Sequence, residues 1–183
     1  MAAFESHRSI TRNIGNAAND ALGQVQFEMF GDWAAARGIF KNLDYAIKIG
    51  SMKGQLAASK QLQKIVKRRL RNSEFSPGLS GSYASRKAAD GYDSDKILYR
   101  TGTYYRSIHV WRKGNRSYVG VKSRTYAPGS KRTVGQIALM HEVGGGRLPA
   151  RPLWAPSWKE FGGRRKLRSL MIWHIKREIS KMR

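Results

Sequence analysis

The chain contains 183 residues, 40% of them hydrophobic and none of them cysteine, and its 35 Lys and Arg against 12 Asp and Glu give a formal charge of +23. This length and apolar content allow one buried core, whereas the missing cysteines exclude a disulfide framework and thiolate metal sites. No apolar run approaches the roughly 20 residues of a bilayer span and the first residues lack the pattern of a secretory signal, so integral membrane and secreted proteins are disfavoured.

The N-terminal half predicts two helices. Apolar residues recur at three- and four-residue steps over 8–36, which is typical of an amphipathic helix. Three glycines inside it, each unfavourable by up to about 1 kcal/mol relative to alanine, make it dependent on a partner. Gly38 is a plausible helix end. Residues 43–50 alternate like a strand but could instead begin the next helix, which an apolar stripe predicts over 52–72.

The middle of the chain predicts a loop, a helical turn and a hairpin. Residues 73–95 are rich in Ser, Gly, Pro and Asp and poor in apolar side chains, so we expect a long loop that is mobile in the isolated subunit. A short helical turn is expected over 104–108, with Thr101 as its cap. Alternating apolar and aromatic residues around the turn 113–115 predict a β-hairpin that ends at Val121.

Two loops then flank a short helix. Residues 129–135 predict a turn-rich loop, and residues 137–143 predict a helix that a run of three glycines ends. The stretch that follows should be extended, because each proline fixes φ and removes a backbone donor. These prolines are Pro149, Pro152 and Pro156.

The last predicted helix is basic. Apolar side chains at helical spacing place it from residue 157 or 164 to Met182, and Lys and Arg flank it densely. Helices, a hairpin and again helices, in that order, are typical of an α+β fold. We expect a single domain with long N-terminal helices, a small antiparallel β-region and a basic C-terminal helix. Residues 1–42 would form an N-terminal helical extension and residues 43–183 the α+β domain.

The sequence offers no recognisable catalytic or metal site. His141 and Glu142 lie beside a glycine-rich turn, but the zinc-protease pattern needs a second histidine where Gly145 stands. Three aspartates in the loop 73–95 lack the spacing and the closing glutamate of a calcium loop, so a solvated loop is the simpler interpretation. We therefore expect a protein that is not an enzyme and that uses no cofactor or metal ion.

The positive charge is the strongest functional signal. Residues 1–91 carry a net charge of +7 and residues 92–183 a net charge of +16. An excess of this size favours polyanions, and basic side chains neutralise phosphates without selecting a sequence. No helix-turn-helix, zinc-finger, RRM or KH pattern accompanies it. The candidate contacts, to DNA or equally to an acidic partner protein, are Arg164, Arg165, Lys166, Arg168, Lys176, Arg177, Lys181 and Arg183.

Short motifs over about residues 43–183 resemble those of one known family. Leucine, Thr-Gly and Ser-Ile follow one another within 98–108, and the motifs His-Glu-Val-Gly and Pro-Ala-Arg-Pro-Leu come after the hairpin. Their order and spacing are similar to those of the neck and tail-completion (virion morphogenesis, head–tail joining) proteins of tailed bacteriophages. The candidate motif and subunit-interface residues are Thr101, Gly102, Ser107, Ile108, Tyr126, His141, Glu142, Gly144, Pro149, Ala150, Arg151, Pro152, Leu153 and Trp154.

The resemblance implies a structural virion protein of the head–tail neck, assembled in the host cytoplasm and without catalytic activity. Such proteins form closed homo-oligomeric rings, here of six or twelve copies, through heterologous contacts. The implied partners are portal or connector proteins, tail terminator, tail tube or sheath proteins, and genomic DNA in the channel, but no membrane. The basic C-terminal helix would face the channel or the adjoining ring.

Arg151, held between two prolines, suits a salt bridge across subunits, and Glu142 is the obvious type of partner for it.

The alternative function is a stand-alone nucleic-acid-binding protein without sequence preference. A nuclease is less favoured, because the chain has no acidic metal cluster.

Overall fold

The computed structural model describes residues 33–98, 101–121, 126, 131–145 and 148–182. The chain divides into two compact units, Met1–Lys41 and Asn42–Arg183. The predicted α+β class is confirmed, with helices and a two-stranded antiparallel sheet. The helix predicted over 8–36 lies outside the described residues except for its last four positions. None of the helices in the described ranges combines the length and the apolar character that crossing a bilayer requires.

The longest element is helix α1, Trp33–Asn72. The helix predicted over 52–72 is confirmed, and residues 43–50 belong to it instead of forming a strand. The prediction that a helix ends at Gly38 is wrong. A glycine inside a helix weakens it by about 1 kcal/mol, and it ends the helix only where its backbone adopts the left-handed conformation. Gly38 keeps helical geometry, so the helix continues through it.

The second half of α1 forms one wall of the core. Its side chains at three- and four-residue steps are buried, as the apolar stripe predicts. Residues from the rest of Asn42–Arg183 complete the core around them, so the loops and short elements are held by burial against α1. The buried members are Ala58, Leu62, Val66, Leu70, Tyr104, Ile108, Val134, Ala138, Leu153 and Phe161.

The predicted hairpin is confirmed as strands β1, Ile108–Lys113, and β2, Arg116–Val121, paired antiparallel with Trp111 opposite Tyr118. One face packs on α1. The amide of Gln63 donates to the backbone oxygen of Ile108 at 2.9 Å. Since side chains alternate along a strand, every second residue of the hairpin points away from α1.

The segment 73–95 contains a helix that the sequence analysis missed. Helix α2 spans Gly81–Ala89, so the prediction of a structureless loop is wrong. Lys87 is only 4% exposed, and its ammonium donates to the backbone oxygen of Lys96. A buried ammonium needs such a partner, and this contact fastens α2 to the chain that follows it.

Two short helices begin differently from the prediction. Helix α3 is Thr103–Ser107, and its N-cap is Gly102 in the left-handed conformation (φ 70°), not Thr101. Helix α4 is Val134–Val143, three residues longer than predicted at its start, because Thr133 and Gln136 form a capping box. The capping bonds measure 3.3 Å from the Gln136 amide to the Thr133 hydroxyl and 2.9 Å in return.

The C-terminal region contains two helices where one was expected. Helix α5, Trp154–Phe161, ends at Gly162, whose φ of 94° breaks the helix, and helix α6, Gly163–Ile179, follows before a 3₁₀ turn at Ser180–Met182. The expectation that Pro156 continues the extended stretch is wrong. It stands in the first turn of α5, where a helix needs no backbone donor.

Helices α1 and α6 pack backbone to backbone. A Cβ atom built on Gly50 would lie 2.5 Å from the Cα of Ile175, and one built on Gly54 would lie 2.5 Å from the Cα of Met171. Residue numbers rise in opposite directions along the two helices, which are therefore antiparallel. Two glycines one turn apart thus set the position of α6.

Candidate functional site

The carboxylate of Glu142 holds the start of helix α5. It accepts the backbone N–H of Leu153 at 2.7 Å and that of Trp154 at 3.1 Å. The first N–H groups of a helix have no intrahelical acceptor, and the positive end of the helix dipole favours a negative charge there. Glu142 stands at the end of α4, so it ties two helices together across the proline-rich stretch.

Arg151 holds the other side of this stretch. It is 6% exposed, and its guanidinium donates to the backbone oxygens of Pro77 at 2.9 Å and Gly78 at 2.8 Å. Its own backbone N–H donates to the oxygen of His141 at 2.6 Å. We expected this guanidinium to form a salt bridge with a neighbouring subunit. Instead it is buried and donates to backbone oxygens of its own chain.

The two resembling motif segments meet at Tyr104. Burial, and then the charge of Glu142, raise the pKa of the Tyr104 phenol above its ordinary range, against the opposing effect of its hydrogen bond with Trp154. In the same segment the hydroxyl of Ser107 donates to the oxygen of Tyr104 at 2.7 Å, and Ile108 is fully buried. The phenol therefore stays protonated, and in its hydrogen bond with Trp154 it accepts, because an indole N–H can only donate.

Gly144 is required by the turn that returns to Ala150. Its φ is 74°, and a Cβ atom there would lie 2.8 Å from the backbone nitrogen of Ala150. Pro149, Ala150 and Pro152 are exposed. Tyr126 pairs with Thr133 through an isolated bridge and is exposed as well. The motif thus divides into residues that fix the backbone and residues that present an outer surface.

The environment of His141 predicts that the stability of the fold depends on pH. Burial, and secondarily the positive charge of Arg151, lower the pKa of its imidazole below 6.5, and its Nδ1 atom is buried with no partner among the described residues. Between the folded and unfolded pKa values the unfolded chain binds more protons, so the free energy of unfolding falls as the pH falls below about 6.5. We expect urea titrations at about pH 7.5 and 5.5 to show a smaller stability loss in His141→Gln than in the parent chain. An equal loss in both contradicts this role.

A second feature is the outward face of α6. Leu167 and Leu170 pack against the core and Met171 and Ile175 meet α1, so the opposite face of the helix is exposed. Trp173 is 54% exposed there, with the guanidinium of Arg177 5.4 Å from its ring centroid. The exposed cations of this helix are Arg164, Arg165, Lys166, Arg168, Lys176 and Arg177.

These six cations form no ion pair with the residues that the structure describes. Within the described part of the chain, no carboxylate oxygen lies within 4.0 Å of any of them. The glutamates around the helix pair elsewhere: Glu160 with Arg68 at 2.5 Å, and Glu178 with Lys53 at 2.9 Å and Lys181 at 2.8 Å. The outward face is therefore a one-sign surface, which we call the α6 basic face.

The structure separates the predicted site residues into two groups. Tyr104 of α3, Glu142 of α4 and Trp154 of α5 bring their motif segments together, whereas Tyr126 pairs with Thr133 and the basic residues of α6 are exposed on another element. Lys181 joins an ion pair, and Arg183 lies outside the described residues. The contacts of Arg151 with the backbone oxygens of Pro77 and Gly78 were not predicted from the sequence. They join residues 74 and 73 positions apart, and no local pattern indicates them. No group of His, Cys, Asp or Glu able to hold a metal ion occurs among the described residues.

No protein-family model matches the chain, and neither a curated protein nor a solved structure is significantly similar to it.

Proposed function

We propose that this chain is a structural subunit of a tailed-bacteriophage virion, one copy of a ring at the head–tail joint. In this role it joins the portal or connector to the tail and leaves a channel through which DNA passes. The proposal rests on the order of the motifs over residues 43–183, and on the observation that none of the six cations of the α6 basic face pairs with a carboxylate of the described ranges.

The α6 basic face suits a subunit that meets a polyanion. Uncompensated cations on one helix repel one another and lower the stability of the isolated chain, and a phosphate backbone or an acidic protein surface relieves that repulsion. Because two glycines fix α6 against α1, the face is presented on a rigid element. A ring repeats it around the axis, which multiplies a weak contact.

The motif residues suit a stiff scaffold. The carboxylate of Glu142 and the guanidinium of Arg151 both bind backbone groups, so they fix the path of the stretch between α4 and α5. Pro149 and Pro152 remain exposed on that fixed stretch. A rigid exposed edge is a favourable ring contact, because little conformational entropy is lost when subunits join.

Native mass spectrometry of the purified chain tests the proposal. We expect one closed oligomer of six or twelve copies, because a ring needs heterologous contacts that close. The double reversal Arg168→Glu/Lys176→Glu should leave the ring intact but abolish its binding to duplex DNA or to the connector. The matched control Lys60→Glu/Lys64→Glu changes the same charge on the exposed side of α1 and should keep both. A chain that stays monomeric, or a virion that is complete and infectious without it, contradicts the proposal.

The alternative function is stand-alone nucleic-acid binding, favoured by the same uncompensated charge. The monomer would then bind short duplexes on its own. Its affinity should fall roughly 10³-fold or more between about 50 and 200 mM salt if it contacts six or more phosphates. A ring subunit instead binds weakly until it is assembled, so comparing the two oligomeric states separates the two functions.

A further inference from the structure

The outer face of the β1–β2 hairpin carries an exposed pair of stacked aromatic rings. Trp111 and Tyr118 are opposite each other in the register, with ring centroids 5.7 Å apart and planes 10° from parallel. They remain 41% and 37% exposed. The face opposite Ile108 also carries Lys113 and Arg116, a directly opposed pair beside the turn. Both of these cations are exposed.

A glycine keeps this aromatic surface flat. Gly120 lies diagonally beneath Trp111, and a Cβ atom built on it would lie 3.1 Å from the indole ring. A methyl group at this position would force the indole ring to shift by a few tenths of an ångström. The indole therefore lies close to the backbone of β2 at Gly120 and is still partly exposed.

The sequence around this hairpin is free of acidic residues. No Asp or Glu occurs between Asp95 and Glu142, a stretch that contains ten Lys and Arg. Arg112, Lys113 and Arg116 cluster at the exposed tip of the hairpin. Among the described residues none of the three forms an ion pair.

We propose that the outer face of the hairpin is a stacking platform for single-stranded nucleic acid. Unpaired bases stack on exposed aromatic rings while neighbouring cations track the phosphates, without sequence selection. Here the rings of Trp111 and Tyr118 would receive bases, and Lys113 and Arg116 would contact the backbone. This site is separate from the α6 basic face and does not rest on the proposed virion function.

The chemistry favours a single strand over other occupants. A duplex keeps its bases stacked inside, so it offers phosphates to the cations but no base surface to Trp111. Two copies of the chain meeting through this face would bring Lys113 and Arg116 against the same charges of the other copy, which is unfavourable.

Fluorescence anisotropy tests the platform with a labelled oligothymidine of about 15 nucleotides and a blunt duplex of the same length. Trp111→Ala is expected to weaken single-strand binding about ten-fold and to change duplex binding less than about two-fold, because stacking concerns unpaired bases. The matched control is Trp173→Ala, which removes another exposed tryptophan beside a cation, on α6. It should leave single-strand affinity within about two-fold.

A second variant tests the site in case Trp111→Ala disturbs the structure of the hairpin. Lys113→Ala/Arg116→Ala leaves the aromatic pair intact and removes two phosphate contacts, so the slope of log affinity against log salt should become shallower by about 1.4 for the single strand. Equal losses for single strand and duplex in Trp111→Ala overturn the proposal, as does single-strand binding that neither variant changes. It is also overturned if Trp111→Ala abolishes self-association of the chain instead of binding.

Discussion

Gly54→Ala is expected to destabilise the chain by about 2 kcal/mol, although alanine is the better helix former. The added Cβ atom would lie 2.5 Å from the Cα and 2.9 Å from the backbone nitrogen of Met171. Backbone atoms cannot rotate away as a flexible side chain can, so helices α1 and α6 must separate. Separation loses packing along the whole contact, and urea titration measures the loss as a lower free energy of unfolding.

The same helix contains its own control. Among the residues that the structure describes, none outside the helix's own nearby backbone has a heavy atom within 4 Å of the position that a Cβ atom on Gly38 would take. Gly38→Ala is therefore expected to leave stability unchanged or to raise it by up to about 1 kcal/mol, through helix propensity alone. If Gly54→Ala lowers the free energy of unfolding no more than Gly38→Ala does, helices α1 and α6 do not pack as closely as described.

This pair of variants also bears on the proposed function. Because the glycines let α6 lie directly on α1, the helix has one partly buried stripe and one exposed side, and the six cations are exposed. A displaced α6 would change the direction of the α6 basic face. We therefore expect Gly54→Ala to weaken any contact that the six cations make, even where the chain still folds.

The elements that the sequence predicted best are those with a strong local signal. The stripe over 52–72 and the hairpin around the turn 113–115 show periods that only one kind of element satisfies. The start of α4 was predicted three residues too late, although Thr133 and Gln136 stand at capping-box spacing. Helix α2 was not predicted, because Gly81–Ala89 is short and largely polar and is held by a buried lysine contact with a residue beyond it.

Tertiary contacts decided what the sequence left open or suggested wrongly. From the sequence alone, a glycine in a helix only indicates lower helix stability. Gly50 and Gly54 therefore did not predict that another helix packs against them. Arg151 and Glu142 read as opposite charges suited to an ion pair. In the fold each binds backbone groups instead, because prolines and a helix start leave carbonyl and N–H groups without local partners.

Replacing Glu142 by alanine is expected to lower the free energy of unfolding by about 2–4 kcal/mol, or the Tm by roughly 6–12 °C. The change leaves the backbone N–H groups of Leu153 and Trp154 without an acceptor in a partly buried place. It also removes a negative charge from the positive end of α5. Thermal and urea unfolding both measure the effect.

Two controls separate the roles of Glu142. Glu142→Gln keeps an acceptor oxygen without the charge, so it should lose roughly half as much stability as alanine does. Glu74→Ala removes a carboxylate that pairs with Arg68 and Arg69 at 3.6 and 3.3 Å and accepts the Asn72 amide at 3.1 Å. Ion pairs near the surface contribute only about 0–1 kcal/mol. A loss in Glu142→Ala no larger than that in Glu74→Ala would mean that the start of α5 does not depend on this carboxylate. Other contacts than the hydrogen bonds to Glu142 would then have to hold the proline-rich stretch in place.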